Sequence, residues 1–436
     1  MKQIACSILI ILLSGTCFGQ IKVTDVPSGR VYQTTLQDST WLFDRIEYAV
    51  FIPEKISVLR GVFIHQHGCR MEGIGASTAY DIQYQYFAKK WGLAVVSPDI
   101  FPKPGRSCRD WIDTENGTGD ALIRLFSQLA IMSGHDELQR IPWLLWGHSG
   151  GGYWTLSMMK NYPERIIGVF AYSPAFDPKW DYPQAAYKIP LMIRHAGSAD
   201  LNGPGVACWQ TALNTFARFR ENNGYASLAY NYGQDHNYSY VRSMAIPFYE
   251  GVLAQRLPEH PLGMLKDMNP SKVWLGDNAV YHIMSASDFK GNVPSMNVLP
   301  DSTVAVKWRE YVITGTVGDK TPPPAPYDLQ VSLVNDTLAV VTWKADADIE
   351  SGIQYFNIRV IDEQTKRFPV SGDYQRFDTN GDNTVPITLP EIKCEITKPT
   401  NAKESLIFVS TINHSGLESL FSEISFLWPS NLNNNF

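Results

Sequence analysis

The stretch WLLWGHSGGGYW, Trp143–Trp154, decides how the rest of the chain is read. Apolar residues from Trp143 to Trp146 run into Gly147-His148-Ser149-Gly150-Gly151, and helix-forming residues follow as far as Tyr162-Pro163. The order is strand, tight turn, helix, with Ser149 on the turn. A G-x-S-x-G turn holds its serine in strained backbone, so the flanking positions must lack bulk where strand and helix cross. A hydroxyl held there lies beside the free N–H groups of the helix start, which favour negative charge. The pentapeptide alone is a weak signal. Whether Ser149 is a nucleophile or a turn filler depends on what the chain supplies elsewhere.

Outward from this turn, short apolar runs alternate with helical periodicity. Strands are expected at Trp41–Phe43, Tyr48–Ile52, Gly61–His65 and Leu93–Val96, the last ended by Ser97-Pro98. Further strands are expected at Pro142–Trp146, Ile167–Tyr172, Ile189–His195 and Ala226–Tyr232. Leu122, Leu125, Phe126 and Leu129 repeat at helical spacing, with Asp120 placed to cap the start and Gly134 to stop the end. Two more helices are expected over Val206–Asn222 and Tyr240–Leu257. Such alternation implies a doubly wound, mainly parallel α/β sheet, whose doubly buried strands read as continuous apolar runs.

A serine needs a base, and the base needs an orienting acid. After the strand ending at His195 comes Ala196-Gly197-Ser198-Ala199-Asp200; after the next strand comes Gly233-Gln234-Asp235-His236-Asn237. Ser149, Asp200 and His236 thus fall in three loops at the carboxyl edge of one sheet, and they are the expected catalytic set. Asp177 is a rival acid and His195 a rival base, although His195 falls at a strand end where packing is the simpler role. Asp235 adjoins His236 and is expected to point elsewhere; His148 is expected to pack or hydrogen-bond locally. Gly150 offers one N–H to an oxyanion, and the loop His67-Gly68-Cys69 offers a second at Cys69 or Gly68. Trp111, Trp180 and Trp209 fall in loops or at loop edges and are candidate substrate-binding residues.

The order serine, acid, histidine with this turn resembles the α/β-hydrolase superfamily over about residues 30–257. Within it, His67-Gly68-Cys69, Gly147–Gly151 and Cys108-x-x-Trp111 resemble polyester depolymerases and feruloyl or acetyl esterases. The resemblance implies a serine esterase acting on a small-molecule or polymer-linked ester, with no cofactor. Two other readings stay open: a peptidase of the prolyl-oligopeptidase kind, and an inactive surface binding protein.

Other features bound the possibilities. The 436 residues carry a net charge of −6 and no lysine or arginine run, which argues against a nucleic-acid partner. Residues 1–19, with Lys2, the apolar run Ile4–Leu13 and small residues Cys17 and Gly19, read as a signal peptide, so the protein is expected to be secreted or periplasmic. No other run is long enough to span a membrane. Of the remaining cysteines, Cys69 and Cys108 are the preferred disulfide pair because both fall in loops expected at one sheet edge; four buried thiols are the alternative. His65-x-His67 lacks a third ligand, so no metal site is expected. Asp378–Asn383 resembles a calcium loop but has the wrong residues at the sixth and twelfth positions, so an Asn-Gly hairpin turn is expected there.

After Pro258 the periodicity fades, and residues 258–320 read as a connecting segment that ends in Trp308–Ile313, expected as a helix or strand packing on a neighbour. Thr321–Pro326 is a stiff proline-rich linker. Beyond it, alternating strands at Asp328–Leu333, Leu338–Trp343, Ile353–Val360, Leu406–Thr411 and Ser422–Trp428 imply a β-sandwich over residues 321–436. Pro324-x-Pro326-x-x-Leu329, Trp343, Asp348–Ile353 and His414–Ser419 resemble a fibronectin type III domain, which implies a spacer or a module contacting polysaccharide or cell surface.

Overall fold

The structure, a computed structural model, describes residues 21–73, 75–201, 207–231, 233–236, 240–361, 363–375 and 391–429. The expected signal peptide and the Asn-Gly turn at 380–381 lie outside the described residues.

Apolar runs from the first half of the chain become one nine-stranded sheet. Its elements are β1 (Lys22–Val26), β2 (Gly29–Leu36), β3 (Arg45–Pro53), β4 (Gly61–Gln66), α1 (Ile82–Trp91), β5 (Leu93–Phe101), α2 (Thr118–Ser133), β6 (Trp143–His148) and α3 (Gly150–Asn161). They continue with β7 (Ile166–Tyr172), α4 (Gln184–Tyr187), β8 (Leu191–His195), α5 (Cys208–Glu221), β9 (Ala226–Tyr230) and α6 (Arg242–Arg256). Strand order is β1-β2-β3-β5-β4-β6-β7-β8-β9. From β5 to β9 every pairing is parallel, and β1 to β3 extend the sheet antiparallel. Both faces of the parallel part are covered, and β4, β6, β7 and β8 are buried along their whole length, as the continuous apolar runs require.

Three local expectations shift, the first at Trp41–Phe43, which forms a bend ahead of β3 and no strand. Strand β5 does not stop at Pro98; it runs to Phe101 because Pro98 lies opposite Tyr48 in the antiparallel pairing with β3. Helix α2 starts at Thr118 after Gly117, so Asp120 sits inside the first turn and ion-pairs with Arg124 (2.7 Å) instead of capping. Gly134 does end that helix, in the left-handed conformation at φ 77°.

The stretch 258–320 is folded rather than bare. It forms β10 (Trp274–Gly276), β11 (Ile283–Ser285), β12 (Asn297–Leu299) and helix α7 (Ser302–Thr314). These bind the outer strand of the large sheet. Leu228 N–H donates to Asn297 Oδ1 (2.7 Å), and Trp308 Nε1 donates to the Leu228 carbonyl (2.6 Å). Leu299, Val304, Trp308 and Tyr311 join the same apolar cluster as α1 and α6.

A second core holds the C-terminal strands β13 (Tyr327–Asn335), β14 (Leu338–Lys344), β15 (Tyr355–Val360), β16 (Lys366–Phe368), β17 (Lys393–Thr397), β18 (Glu404–Ile412) and β19 (Ser422–Leu427). They make a three-stranded sheet, β13-β14-β17, and a four-stranded sheet, β16-β15-β18-β19, both antiparallel. Trp343 is buried between them against Phe356 (5.3 Å between ring centroids). This unit is docked on the large sheet's helices: Gln83 Nε2 donates to the Ile349 carbonyl (2.7 Å), and Lys89 pairs with Asp346 (2.6 Å).

Candidate active site

Ser149 sits at φ 55° and ψ −113°, between β6 and α3. That positive φ is costly for a residue with a side chain and is held from several directions. Its N–H donates to the Tyr172 carbonyl (2.8 Å), and its carbonyl accepts from Tyr153 (3.1 Å) and Ala175 (2.9 Å). A Cβ on Gly147 would collide with the Gly151 carbonyl, and one on Gly151 would lie 2.5 Å from the Gln66 carbonyl. Glycine is therefore a steric necessity on both sides of the serine.

Asp200 and His236 meet. His236 Nδ1 donates to Asp200 Oδ1 at 2.7 Å, with Asp200 fully buried and His236 nearly so. His236 Nε2 is buried and meets no hydrogen-bond partner among the described residues. His148 ties the two loops together: its ring lies 4.8 Å from that of His236, and its Nε2 donates to the His236 carbonyl (3.1 Å).

Behind the acid lies a network that the sequence reading missed. Ser173, at φ 46°, donates from Oγ to Asp200 Oδ2 (2.7 Å), which also accepts from Ala196 N–H (3.2 Å). Arg194, buried without exposed surface, donates to Ser173 Oγ (2.9 Å) and to the Asp235 carbonyl (3.0 Å), and lies 3.9 Å from Asp200. One guanidinium thus holds both the acid's partner and the backbone just before His236. The rivals are occupied elsewhere. His195 stacks on Tyr230 (4.6 Å) and accepts from Gly197 N–H (3.2 Å); burial pulls its pKa down to about 4. Asp177 holds Asn214 (2.8 Å) and Arg218 (3.5 Å).

The loop after β4 lies against the serine turn. A Cβ on Gly68 would come 3.3 Å from Ser149 Cβ, and one on Gly150 would strike Cys69 Sγ and lie 3.5 Å from Cys69 N. Cys69 and Cys108 form a disulfide across 39 residues, while Cys208 and Cys394 remain thiols. His67 braces this loop, donating from Nδ1 to the Gly68 carbonyl (2.6 Å) and accepting at Nε2 from Ile100 N–H (3.0 Å). Burial lowers its pKa to about 4, so it stays neutral with both nitrogens spent on the backbone. Its neighbour His65 stacks on Trp146 (3.8 Å) and bonds Thr78 (3.1 Å).

The three tryptophans diverge. Trp111 has no exposed surface and packs against His67 (5.3 Å), so it supports the loop from within and offers no face to a ligand; burial of a loop residue leaves no periodic trace in a sequence. Trp180 is half-buried with its ring edge-to-face on Tyr153 (5.0 Å). Trp209 is half-buried in the first turn of α5, beside Cys208, whose N–H donates to the Asp200 carbonyl (3.0 Å).

The nine-stranded, mainly parallel sheet with helices on both faces has the arrangement of an α/β-hydrolase fold, and a separate all-β unit follows it. Neither a protein-family model nor a curated protein matches the chain. Among solved structures it is similar to an S-formylglutathione hydrolase from Agrobacterium tumefaciens, at 18% identity and TM-score 0.38, covering 54% of this chain and 98% of that one. It is also similar to poly(aspartic acid) hydrolase-1 from Sphingomonas sp. KT-1, at 17% identity and TM-score 0.34, covering 47% and 93%. A Bacillus cereus carboxylesterase follows at 12% identity and TM-score 0.35, covering 48% and 94%.

Proposed function

We propose that this protein is an exported serine esterase that hydrolyses carboxylic esters through an acyl-enzyme. The observation that carries the reading is the buried 2.7 Å pair of His236 and Asp200 at the sheet edge that also bears the strained Ser149 turn. Ser149 Oγ attacks the ester carbonyl as His236 Nε2 takes its proton, while Asp200 holds the Nδ1–H tautomer and balances the imidazolium. The N–H groups of Gly150 and Cys69 receive the oxyanion. On collapse, His236 returns the proton to the departing alcohol. A water then loses its proton to His236, attacks the acyl-enzyme and frees the acid and Ser149.

Export is supported by the reading of residues 1–19 and by the Cys69–Cys108 disulfide, a bond that persists in oxidising compartments. Catalysis belongs to residues 20–257 with the segment 258–320 packed on them. Residues 321–436 form a fibronectin type III-like appendage that suits a polymer-linked substrate such as cell-wall polysaccharide or polyester. The test is hydrolysis of 4-nitrophenyl butyrate by the wild type and by Ser149→Ala. Turnover that disappears in the variant while its melting temperature holds supports the mechanism; turnover undiminished in Ser149→Ala refutes it.

A further inference from the structure

Resting on that esterase reading, we infer that Arg109 forms an anion subsite beside Ser149, so that the preferred esters carry a carboxylate on their acyl or alcohol part. Arg109 lies on the short turn Cys108–Asp110. That segment is tied to the oxyanion side twice, through the Cys108–Cys69 disulfide and through Ile112, whose Cγ2 lies 3.2 Å from where a Gly150 Cβ would stand. On the opposite side, Phe176 follows Ala175, whose N–H donates to the Ser149 carbonyl (2.9 Å). The two loops meet where the exposed Arg109 guanidinium lies 4.3 Å over the Phe176 ring. Tyr153, one helical turn beyond Ser149, sets its ring edge-to-face against Phe176 (6.1 Å).

Three neighbouring carboxylates are ion-paired elsewhere, while Asp113 is hydrogen-bonded and keeps its charge. Asp110 takes Arg106 (2.7 Å), Glu115 takes Lys160 (2.7 Å) and Asp177 takes Arg218 (3.5 Å). Asp113 accepts from Glu115 N–H (3.1 Å) and Ser157 (3.3 Å). Among the described residues Arg109 makes no ion pair. Stacking fixes the plane of a guanidinium and leaves its N–H edge for a second planar group, and a carboxylate fits that fork.

The experiment compares two matched pairs, each differing in one charge. Mono(4-nitrophenyl) succinate against 4-nitrophenyl butyrate probes the acyl side; 4-acetoxybenzoate against 4-acetoxybenzamide probes the alcohol side. The readout is the anionic-to-neutral ratio of kcat/KM in the wild type divided by the same ratio in Arg109→Gln, so intrinsic ester reactivity cancels. We expect a double ratio of about fivefold in one pair, the size of one exposed charge-assisted contact. It should shrink with added salt and return only in part in Arg109→Lys, which keeps the charge without the fork. Turnover of the neutral esters with a double ratio of one in both pairs overturns the anion subsite alone. No turnover of any of the four, with no labelling by a fluorophosphonate, overturns the esterase reading and the subsite with it.

Discussion

Replacing Arg194 by methionine should cost both stability and rate. The guanidinium is fully buried, 3.9 Å from Asp200, and donates to Ser173 and to the Asp235 carbonyl. Two unit charges at that separation attract by about 4 kcal/mol at an effective dielectric near 20. Removing one partner of a buried pair leaves the other uncompensated, which costs about 3–5 kcal/mol. Against a total stability of about 5–15 kcal/mol, this is a large fraction. At roughly 2–4 °C per kcal/mol for a domain of this size, the melting temperature should fall by about 10 °C. The backbone before His236 and the Ser173 hydroxyl on Asp200 are loosened together, and a displacement of the base by about 1 Å costs on the order of 100-fold in kcat. The assay is calorimetric melting combined with kcat for a neutral aryl ester, measured well below the variant's transition. Arg194→Lys keeps the charge without the fork and should fall between. An Arg194→Met protein that melts within about 1 °C of wild type and keeps half its kcat would refute the reasoning.

Three further outcomes are expected. Asp99 is buried beside His67 (3.6 Å), and burial pushes its pKa up to about 7 from 3.8. The native state then holds a proton that the unfolded chain releases between those values, so the stability Asp99 allows below pH 4 is lost as pH rises through about 7. Asp99→Asn should match wild type near pH 4 and exceed it above pH 7 by up to about 4 kcal/mol, read by urea melts across pH; a difference that does not vary with pH would contradict this. The nearby His67, with its pKa lowered to about 4, acts in the opposite sense, its contribution falling away as pH drops from 6.5 through 4, and it cancels in the comparison. Cys108→Ser should lose about 4 kcal/mol of loop-closure stabilisation for the 39-residue loop. On the proposed mechanism, in which the Cys69 N–H receives the oxyanion, its kcat should fall more than its KM changes; full activity in this variant would remove Cys69 from the hole. Ser173→Ala should cost about 1.5–3 kcal/mol, as one hydrogen bond to a buried carboxylate does, measured by melting; no loss would show that Asp200 is held by other groups.

What was legible in the sequence followed from strand ends. In a parallel sheet the loops after successive strands share one edge, so chain order alone leads Asp200 and His236 to be expected in adjacent loops at the edge that bears Ser149, and the first two do meet at 2.7 Å. The same rule joined Cys69 to Cys108. Arg194 and Ser173 are not legible as partners of Asp200, because Arg194 falls inside the strand expected at Ile189–His195 and Ser173 just past the one expected at Ile167–Tyr172. Yet a charged residue inside the apolar run Leu191–His195 was the available signal, since arginine is almost never fully buried unless paired. The folded stretch 258–320 was harder. Its strands span only three residues each, too short for alternation to register. In α7 the buried positions Val304, Ala305, Trp308, Tyr311 and Val312 do carry helical spacing. Trp111 shows the remaining limit: whether a loop side chain turns inward depends on partners such as His67 that lie 44 residues away in sequence.

The central claim is that Ser149 is the nucleophile activated by His236 and Asp200. Incubation with a fluorophosphonate followed by peptide mass spectrometry tests it most directly. A single phosphonyl adduct on the peptide containing Ser149, lost in His236→Ala, is the predicted result. An unlabelled protein, or an adduct on a different serine, would contradict it.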